Sequence, residues 1–264
     1  MSPRLFLLAG EPSGDRLGAA LIRGLRELAP AIELSGVGGP AMAGEGLASL
    51  FPMADLSVMG LAEVLPRYPL LRRRLAEAAA AVAATAPDAL ITIDSPDFSL
   101  RLAARARAAR PGLRTIHYVA PSVWAWRPGR AAKMARVIDH VLVLLPFEPP
   151  YMEAAGMSCD FVGHPVVAEP QATPAEAAAF RAAHGMAAGA PLVLALPGSR
   201  RSEVDRLAPR FGESLAILAA RQPDLRVVVP AVAHLADRVA GLVAGWPGRP
   251  VLLDARRDDG AVKR

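Results

Sequence analysis

Asp94 and Asp97 stand three residues apart in Ile93-Asp94-Ser95-Pro96-Asp97-Phe98, directly after the apolar run 89–93. A carboxylate that closes a buried strand lies where open α/β sheets place their ligand crevices, and partial burial there suits one of the two to act as general base. The competing reading is structural: Asp97 or Ser95 caps the helix predicted from Ser99. A second cluster, Gly10-Glu11-Pro12-Ser13-Gly14-Asp15, sits where another apolar run meets a helical pattern. Glycine allows the tight turn, Ser13 or Asp15 can cap the helix, and open amides at its start favour an anionic or hydroxyl-rich ligand. Turning does not require Glu11, and its carboxylate points to a sugar hydroxyl contact.

The most distinctive segment is His117-Tyr118-Val119-Ala120-Pro121-Ser122-Val123-Trp124-Ala125-Trp126-Arg127. Trp124 and Trp126 offer flat faces to sugar rings or acyl chains, Arg127 suits a phosphate, and Ser122 lies beside them. The alternative is an aromatic plug under the loop. Further on, Pro197-Gly198-Ser199-Arg200, followed by Glu203, opens a helix with an arginine near its amino end, placed to hold a diphosphate. His117, His140, His164, His184 and His234 show no ligand spacing, and Cys159 is the single cysteine, so neither a metal site nor a cofactor is expected.

These residues need a scaffold that brings strand ends together. Strands are expected over 4–9, 32–37, 89–93, 115–119 and 141–145, and helices over 14–29, 70–86 and 99–110. This βαβ succession predicts an α/β fold with a doubly wound parallel sheet. After Phe161-Val162-Gly163 a proline-containing connector without periodicity runs over 164–174. The pattern then restarts, with helices over 174–184, from the 197–200 loop to about 221, and over 234–244, and strands over 192–196, 225–229 and 251–253. The expected division is 1–165 and 166–264. Three strands make half of a doubly wound sheet and leave an apolar edge to be covered, and 256–264 reads as a polar tail without apolar period. The second domain is thus expected to be incomplete.

Composition narrows the class. Hydrophobic residues make up 53% of 264, enough for packed cores and too many for disorder. One cysteine forms no internal disulfide and fits a reducing, cytosolic compartment. Leu5-Phe6-Leu7-Leu8-Ala9 behind Arg4 is too short for a secretory signal, and the alanine-rich stretch 78–84 is far short of the ~20 apolar residues of a bilayer span. Net charge is +5, but positive residues form no tail or long run, so no nucleic-acid partner is expected. A local cluster, Arg67, Tyr68, Leu70, Leu71, Arg72, Arg73 and Arg74, is either a solvated helix face or a patch for anionic lipid headgroups.

In order and spacing, G-E-P-S-G-D, V-G-G-P-x-M, V-M-G-L-x-E-V-L, I-D-S-P-D-F, I-H-Y-V-A-P-S-V-W-A-W-R, L-P-F-E, F-V-G-H-P and L-P-G-S-R-x-x-E-V resemble the lipid-A-disaccharide synthases, over residues 4 to 254. The resemblance implies a GT-B-like fold of two Rossmann-like domains, the first binding acceptor and the second nucleotide sugar. It implies an inverting transfer that joins UDP-2,3-diacylglucosamine to 2,3-diacylglucosamine 1-phosphate (lipid X), in one displacement that releases UDP. Asp94 matches the family's proposed base, Glu11 and the loop after it the acceptor-side cleft, and Arg200 a functional arginine of the second domain. Cationic side chains and helix amino ends take the place of a metal. Both acylated substrates imply peripheral contact with the cytoplasmic face of the inner membrane, expected between Val58-Met59-Gly60-Leu61 and Arg74; oligomeric state is left open. Family members continue past Val251-Leu252-Leu253-Asp254 through a serine-glycine-threonine segment with an acidic residue, which 255–264 does not match; a frameshift or a shortened chain accounts for this. The alternative function is a remnant without turnover that binds acylated sugar phosphate or membrane. A UDP-sugar epimerase, which shares the architecture, is a third reading, and the tryptophan loop speaks against it.

Overall fold

The computed structural model describes residues 2–56 and 61–257, with the side chains of 61–65 excepted. The chain forms two compact units, Met1–Ala168 and Glu169–Arg264. In unit 1, strands β1 (Arg4–Ala9), β2 (Glu33–Val37), β3 (Ala89–Ile93), β4 (Arg114–Tyr118), β5 (His140–Val143) and β6 (Ser158–Phe161) alternate with helices α1 (Pro12–Leu28), α2 (Pro40–Gly44), α3 (Leu61–Thr85), α4 (Pro96–Ala109), α5 (Gly129–Met134) and α6 (Pro149–Glu153). All six strands pair in parallel in the order β2-β1-β3-β4-β5-β6. Parallel pairing requires crossover helices on the faces, and strands covered on both sides become near-continuous apolar runs. Leu5 through Ala9 and Ala89 through Ile93 are accordingly buried at every position.

Where the structure departs from the expectations, local chemistry explains it. Helix α1 starts at Pro12, so Ser13 and Asp15 lie inside its first turn and neither caps it. Asp15, buried, instead accepts the backbone N–H groups of Gly39 (2.8 Å), Ala41 (2.9 Å) and Met42 (3.0 Å), capping α2. Helix α3 begins at Leu61 rather than residue 70 and contains Pro66 and Pro69. Each proline removes one helical hydrogen bond, and both prolines are exposed. Strand β6 has a polar sequence, Ser158-Cys159-Asp160-Phe161, at the sheet edge, and shows no apolar run to betray it.

One polar pair crosses the middle of the sheet. Thr92 on β3 faces His117 on β4 in register; Thr92 Oγ1 and His117 Nδ1 are 2.8 Å apart, and the imidazole is fully buried. Its Nε2 has no hydrogen-bond partner among the described residues. Burial disfavours the charged ring and lowers its pKa to about 4.

Unit 2 contains α7 (Pro174–Ala183), β7 (Leu192–Leu194), α8 (Arg201–Arg221), β8 (Arg226–Ala231), α9 (Ala236–Val243) and β9 (Val251–Asp254). Its sheet is parallel in the order β7-β8-β9. Val227, Val229, Val204, Leu215 and Val239 form the centre of its core. Arg256, expected in a polar tail, is bonded to Asp254 and Asp237 and belongs to the fold; 258–264 lie outside the described residues.

Candidate functional site

At the carboxyl edge of the first sheet, β1 and β3 lie side by side in register, Ala9 opposite Ile93. Strand β2 flanks β1 on one side and β4 flanks β3 on the other, so the direction of winding reverses between β1 and β3. At such a switch point the connecting loops diverge and leave a crevice. The residues that leave the two strands there are Gly10-Glu11 and Asp94-Ser95.

Asp94 and Ser95 both adopt left-handed backbone, with φ of 53° and 45°. For L-residues other than glycine this costs on the order of 1 kcal/mol or more each. Hydrogen bonds hold it in place. The Asp94 N–H donates to the Tyr118 carbonyl (2.9 Å) and the Ser99 N–H to the Ser95 carbonyl (3.1 Å), while Ser99 Oγ donates to the Asp94 carbonyl (2.8 Å). With its backbone tied on both sides, Asp94 leaves a half-buried carboxylate that accepts no hydrogen bond among the described residues. Ser95 Oγ is buried and has no hydrogen-bond partner among the described residues. Gly10 is what lets the loops approach: a Cβ there would lie 2.7 Å from Ser95 Oγ and 3.1 Å from Ser95 Cβ.

Glu11 is half-buried at the amino end of α1 in extended backbone, and Ser13 is exposed one residue beyond Pro12. Asp97 is also exposed, in the first turn of α4, with Arg130 at 3.8 Å. Because α4 opens at Pro96, Ser95 occupies the capping position, yet its side chain makes no cap. The capping reading of Ser95 and Asp97 is therefore corrected: neither performs it, although Asp97 still gains from the helix dipole.

The tryptophan loop follows β4. Trp124 and Trp126 are 43% and 52% exposed, whereas Val123 between Ser122 and Trp124 is buried. The plug of the loop is thus a valine, and both indoles stay at the surface. Ser122 is exposed, and its carbonyl accepts the N–H groups of Ala125 and Trp126 (both 3.1 Å). Arg127, at φ 52°, lays its guanidinium over the Trp126 ring 4.1 Å from the centroid, a cation–π contact that orients both groups. The Trp124 indole N–H reaches Glu148 Oε1 (3.4 Å), and its ring meets Phe147 edge-on at 5.2 Å.

In unit 2, Arg200 precedes α8 and bonds Glu203 Oε1 (2.7 Å), while Glu203 Oε2 accepts the N–H groups of Ser199 (3.2 Å) and Arg200 (3.3 Å). The guanidinium holds the Glu203 carboxyl below the usual carboxylate range. Gly198, at φ 125°, permits this fold-back; a Cβ there would sit 2.7 Å from that of Glu203. Among the described residues no group of three or more His, Cys, Asp or Glu is arranged to hold a metal.

The family model of lipid-A-disaccharide synthetase matches residues 5–241. Lipid-A-disaccharide synthase of Ruegeria pomeroyi is 67% identical over 253 residues, covering 96% of this chain and 63% of that protein. The chain belongs to the lipid-A-disaccharide synthase family. The synthase of Rhodospirillum centenum is 56% identical over 249 residues, covering 94% of this chain and 62% of its own. The chain thus spans less than two thirds of these synthases. UDP-GlcNAc 2-epimerase of Neisseria meningitidis, solved with UDP-GlcNAc bound, superposes with a TM-score of 0.66 at 11% identity, over 96% of this chain and 72% of that one. That likeness shows the GT-B-like α/β fold alone.

In this member of the family, Glu11, Ser13, Asp94 and Asp97 lie just beyond the ends of two adjacent strands. Ser122, Trp124, Trp126 and Arg127 follow the next strand, and Arg200 lies in the other unit. Ser95 was expected only as a cap, and Phe147 and Glu148 were not expected at the site. The last two had a signal, since L-P-F-E stands among the motifs of the resemblance.

Proposed function

We propose that the protein is the hexosyltransferase of its family, condensing UDP-2,3-diacylglucosamine with lipid X to give lipid A disaccharide 1-phosphate and UDP. Asp94 takes the proton of the acceptor's 6-hydroxyl. The oxygen attacks the donor's anomeric carbon, the bond to the UDP phosphate breaks on the opposite face, and the centre inverts. Arg200 and the amino end of α8 stabilise the departing diphosphate. Glu11 and Ser13 bind acceptor hydroxyls. Asp97 orients Arg130 beside them, and Ser122, Trp124, Trp126 and Arg127 hold the acylated sugar phosphate. The domains take their roles from this, 1–165 for the acceptor and 166–264 for the nucleotide sugar.

The observation that carries this reading is the half-buried Asp94 carboxylate held at the β1/β3 switch point by a strained, hydrogen-bonded backbone. Radiolabelled transfer from UDP-diacylglucosamine tests it, in the 264-residue chain and in one extended with the remaining third of a relative. Asp94→Ala in whichever form turns over should lower kcat by ~100-fold or more; near-normal turnover refutes the assignment.

Peripheral binding to the cytoplasmic face of the inner membrane belongs to the same proposal. No helix among the described residues is long and apolar enough to cross a membrane. On α3, Arg67, Tyr68, Arg72 and Arg73 are exposed, each cation worth about 1 kcal/mol beside an anionic surface. Arg74 leaves the patch: it bonds Asp55 and Glu77 and covers Phe51. Val58, Met59 and Gly60 lie outside the described residues, and nothing of the Leu61 side chain is described. A second reading, a remnant that binds acylated sugar phosphate or membrane without turnover, is favoured by the placement of every site residue except Arg200 in unit 1. Absence of transfer with retained binding would favour it.

A further inference from the structure

The L-P-F-E segment, Leu145-Pro146-Phe147-Glu148, leaves β5 beside the tryptophan loop that leaves β4. Its glutamate is an unusual residue to find where it is. Glu148 is buried, and a buried carboxylate is costly unless its oxygens are satisfied. Both are: Oε2 accepts the Leu145 N–H (3.0 Å) and Oε1 accepts the Trp124 indole N–H (3.4 Å). The same segment sends Phe147 against the Trp124 ring. Trp124 is therefore held at its nitrogen and at one edge, while much of its surface stays in water. Around it Leu145, Phe147 and Tyr151 are exposed as well, each between 39% and 47%. Locking an aromatic side chain while leaving it open to solvent does nothing for the core. It does pre-organise a surface for an apolar ligand.

We propose that the loops after β4 and β5 form one acyl-chain rest, with Trp124 and Phe147 as its floor and Glu148 as the positioning residue that fixes Trp124. This rests on the reading of the site as one for acylated sugars, and it adds where an acyl chain goes and what sets its length preference. The sheet supplies the spacing. Strands β4 and β5 are the first and second neighbours of β3, at about 5 Å per step. The rest therefore lies within an acyl chain's reach of a sugar whose 6-hydroxyl meets Asp94, for a sugar oriented with its acyl substituents along the carboxyl edge toward β4 and β5. The occupant is a fatty acyl chain and not a second sugar, because the exposed Trp124, Leu145 and Phe147 surfaces are apolar and the one hydroxyl among these side chains is that of Tyr151. The polar atoms beside them, the Trp124 indole N–H and the Glu148 oxygens, are already used within the protein.

Calorimetric titration of the 264-residue chain with 2,3-diacylglucosamine 1-phosphate bearing butyryl or lauroyl chains, each below its micelle threshold, tests this. The lauroyl form should bind at least tenfold more tightly, since two buried methylenes already give roughly that factor. Phe147→Ala should remove most of this difference while changing butyryl affinity by less than about twofold, and Glu148→Gln, which loosens Trp124, should weaken lauroyl binding more than butyryl binding. Phe147 is half-exposed, so its removal leaves no buried charge and the variant keeps its fold; an unchanged melting curve checks this. If Phe147→Ala retains the full chain-length preference, the rest lies elsewhere, and the acceptor-site reading stands without it. Equal affinity of the wild type for both forms also overturns the rest alone. Failure of the wild type to bind either form overturns the acceptor-site reading and the rest together.

Discussion

At the scale of single residues, the carboxyl edge of the first sheet is built by close approach. Gly10 and Ser95 leave neighbouring strands, and the space between them admits no methyl group. Gly10→Ala should therefore push on Ser95 and, through it, on Asp94, at a cost of about 1–3 kcal/mol in urea melts. Adding Ser95→Gly removes both atoms that the new Cβ would strike and relieves a left-handed serine. The double variant should recover most of the loss, and strict additivity of the two changes would refute the contact as its cause. Little of this was legible in the sequence. Asp94 could be found because it closes an apolar run, a pattern that period alone reveals. The left-handed backbone at Asp94 and Ser95 is tied to Tyr118 on the next strand, and Ser95 packs against Gly10, some 85 residues earlier in the chain; no local pattern encodes such meetings. Trp124 and Glu148 are a similar case: the residue types were visible, the hydrogen bond between two loops was not.

At the scale of elements, the buried strands β1, β3 and β8 announce themselves because strands covered on both faces are near-continuous apolar runs, whereas β4 carries the buried polar residues Thr115 and His117. Strand β6 does not announce itself, since an edge strand is free to carry Ser158 and Asp160. The cap of α2 was hidden for another reason: its carboxylate comes from Asp15, 24 residues before Gly39, whereas the capping rule looks only at the adjoining residues. The β3–β4 pair makes a stability prediction of its own. His117 titrates at about 4 when folded and about 6.5 when unfolded. Between those values the unfolded chain binds the extra proton, so stability is complete above the unfolded value and falls as pH drops toward the folded one. Urea melts should show a loss of about 2 kcal/mol between about pH 7 and pH 5 from this residue. The loss should disappear in His117→Gln; if the slope persists there, another group carries it.

At the scale of the whole chain, unit 1 owns a six-stranded parallel sheet with a continuous core, and its boundary falls in a segment where residues 166–174 are exposed without a break. Limited proteolysis should cut there first, releasing a fragment close to Met1–Ala168 that unfolds cooperatively and retains whatever acceptor binding the entire chain possesses. Cleavage inside the first sheet before the connector, or a fragment without a melting transition, would show that unit 1 needs unit 2 in order to fold. Fold class was open to the sequence at this scale, because repeated βαβ patterning is itself a long-range signal; the proline-containing connector expected over 164–174 spans the boundary between the two compact units at Ala168 and Glu169.

The parallel order of the first sheet has one more consequence. Its carboxyl edge is partitioned: acidic and hydroxyl residues follow β1 and β3, aromatic ones follow β4 and β5. Loops anchored on different strands can drift separately in evolution, because neither shares backbone with the other. If the aromatic side holds the acyl chains, descendants of this scaffold could adapt to lipids of colder or warmer habitats by editing that side alone, while the bond-making side is inherited untouched.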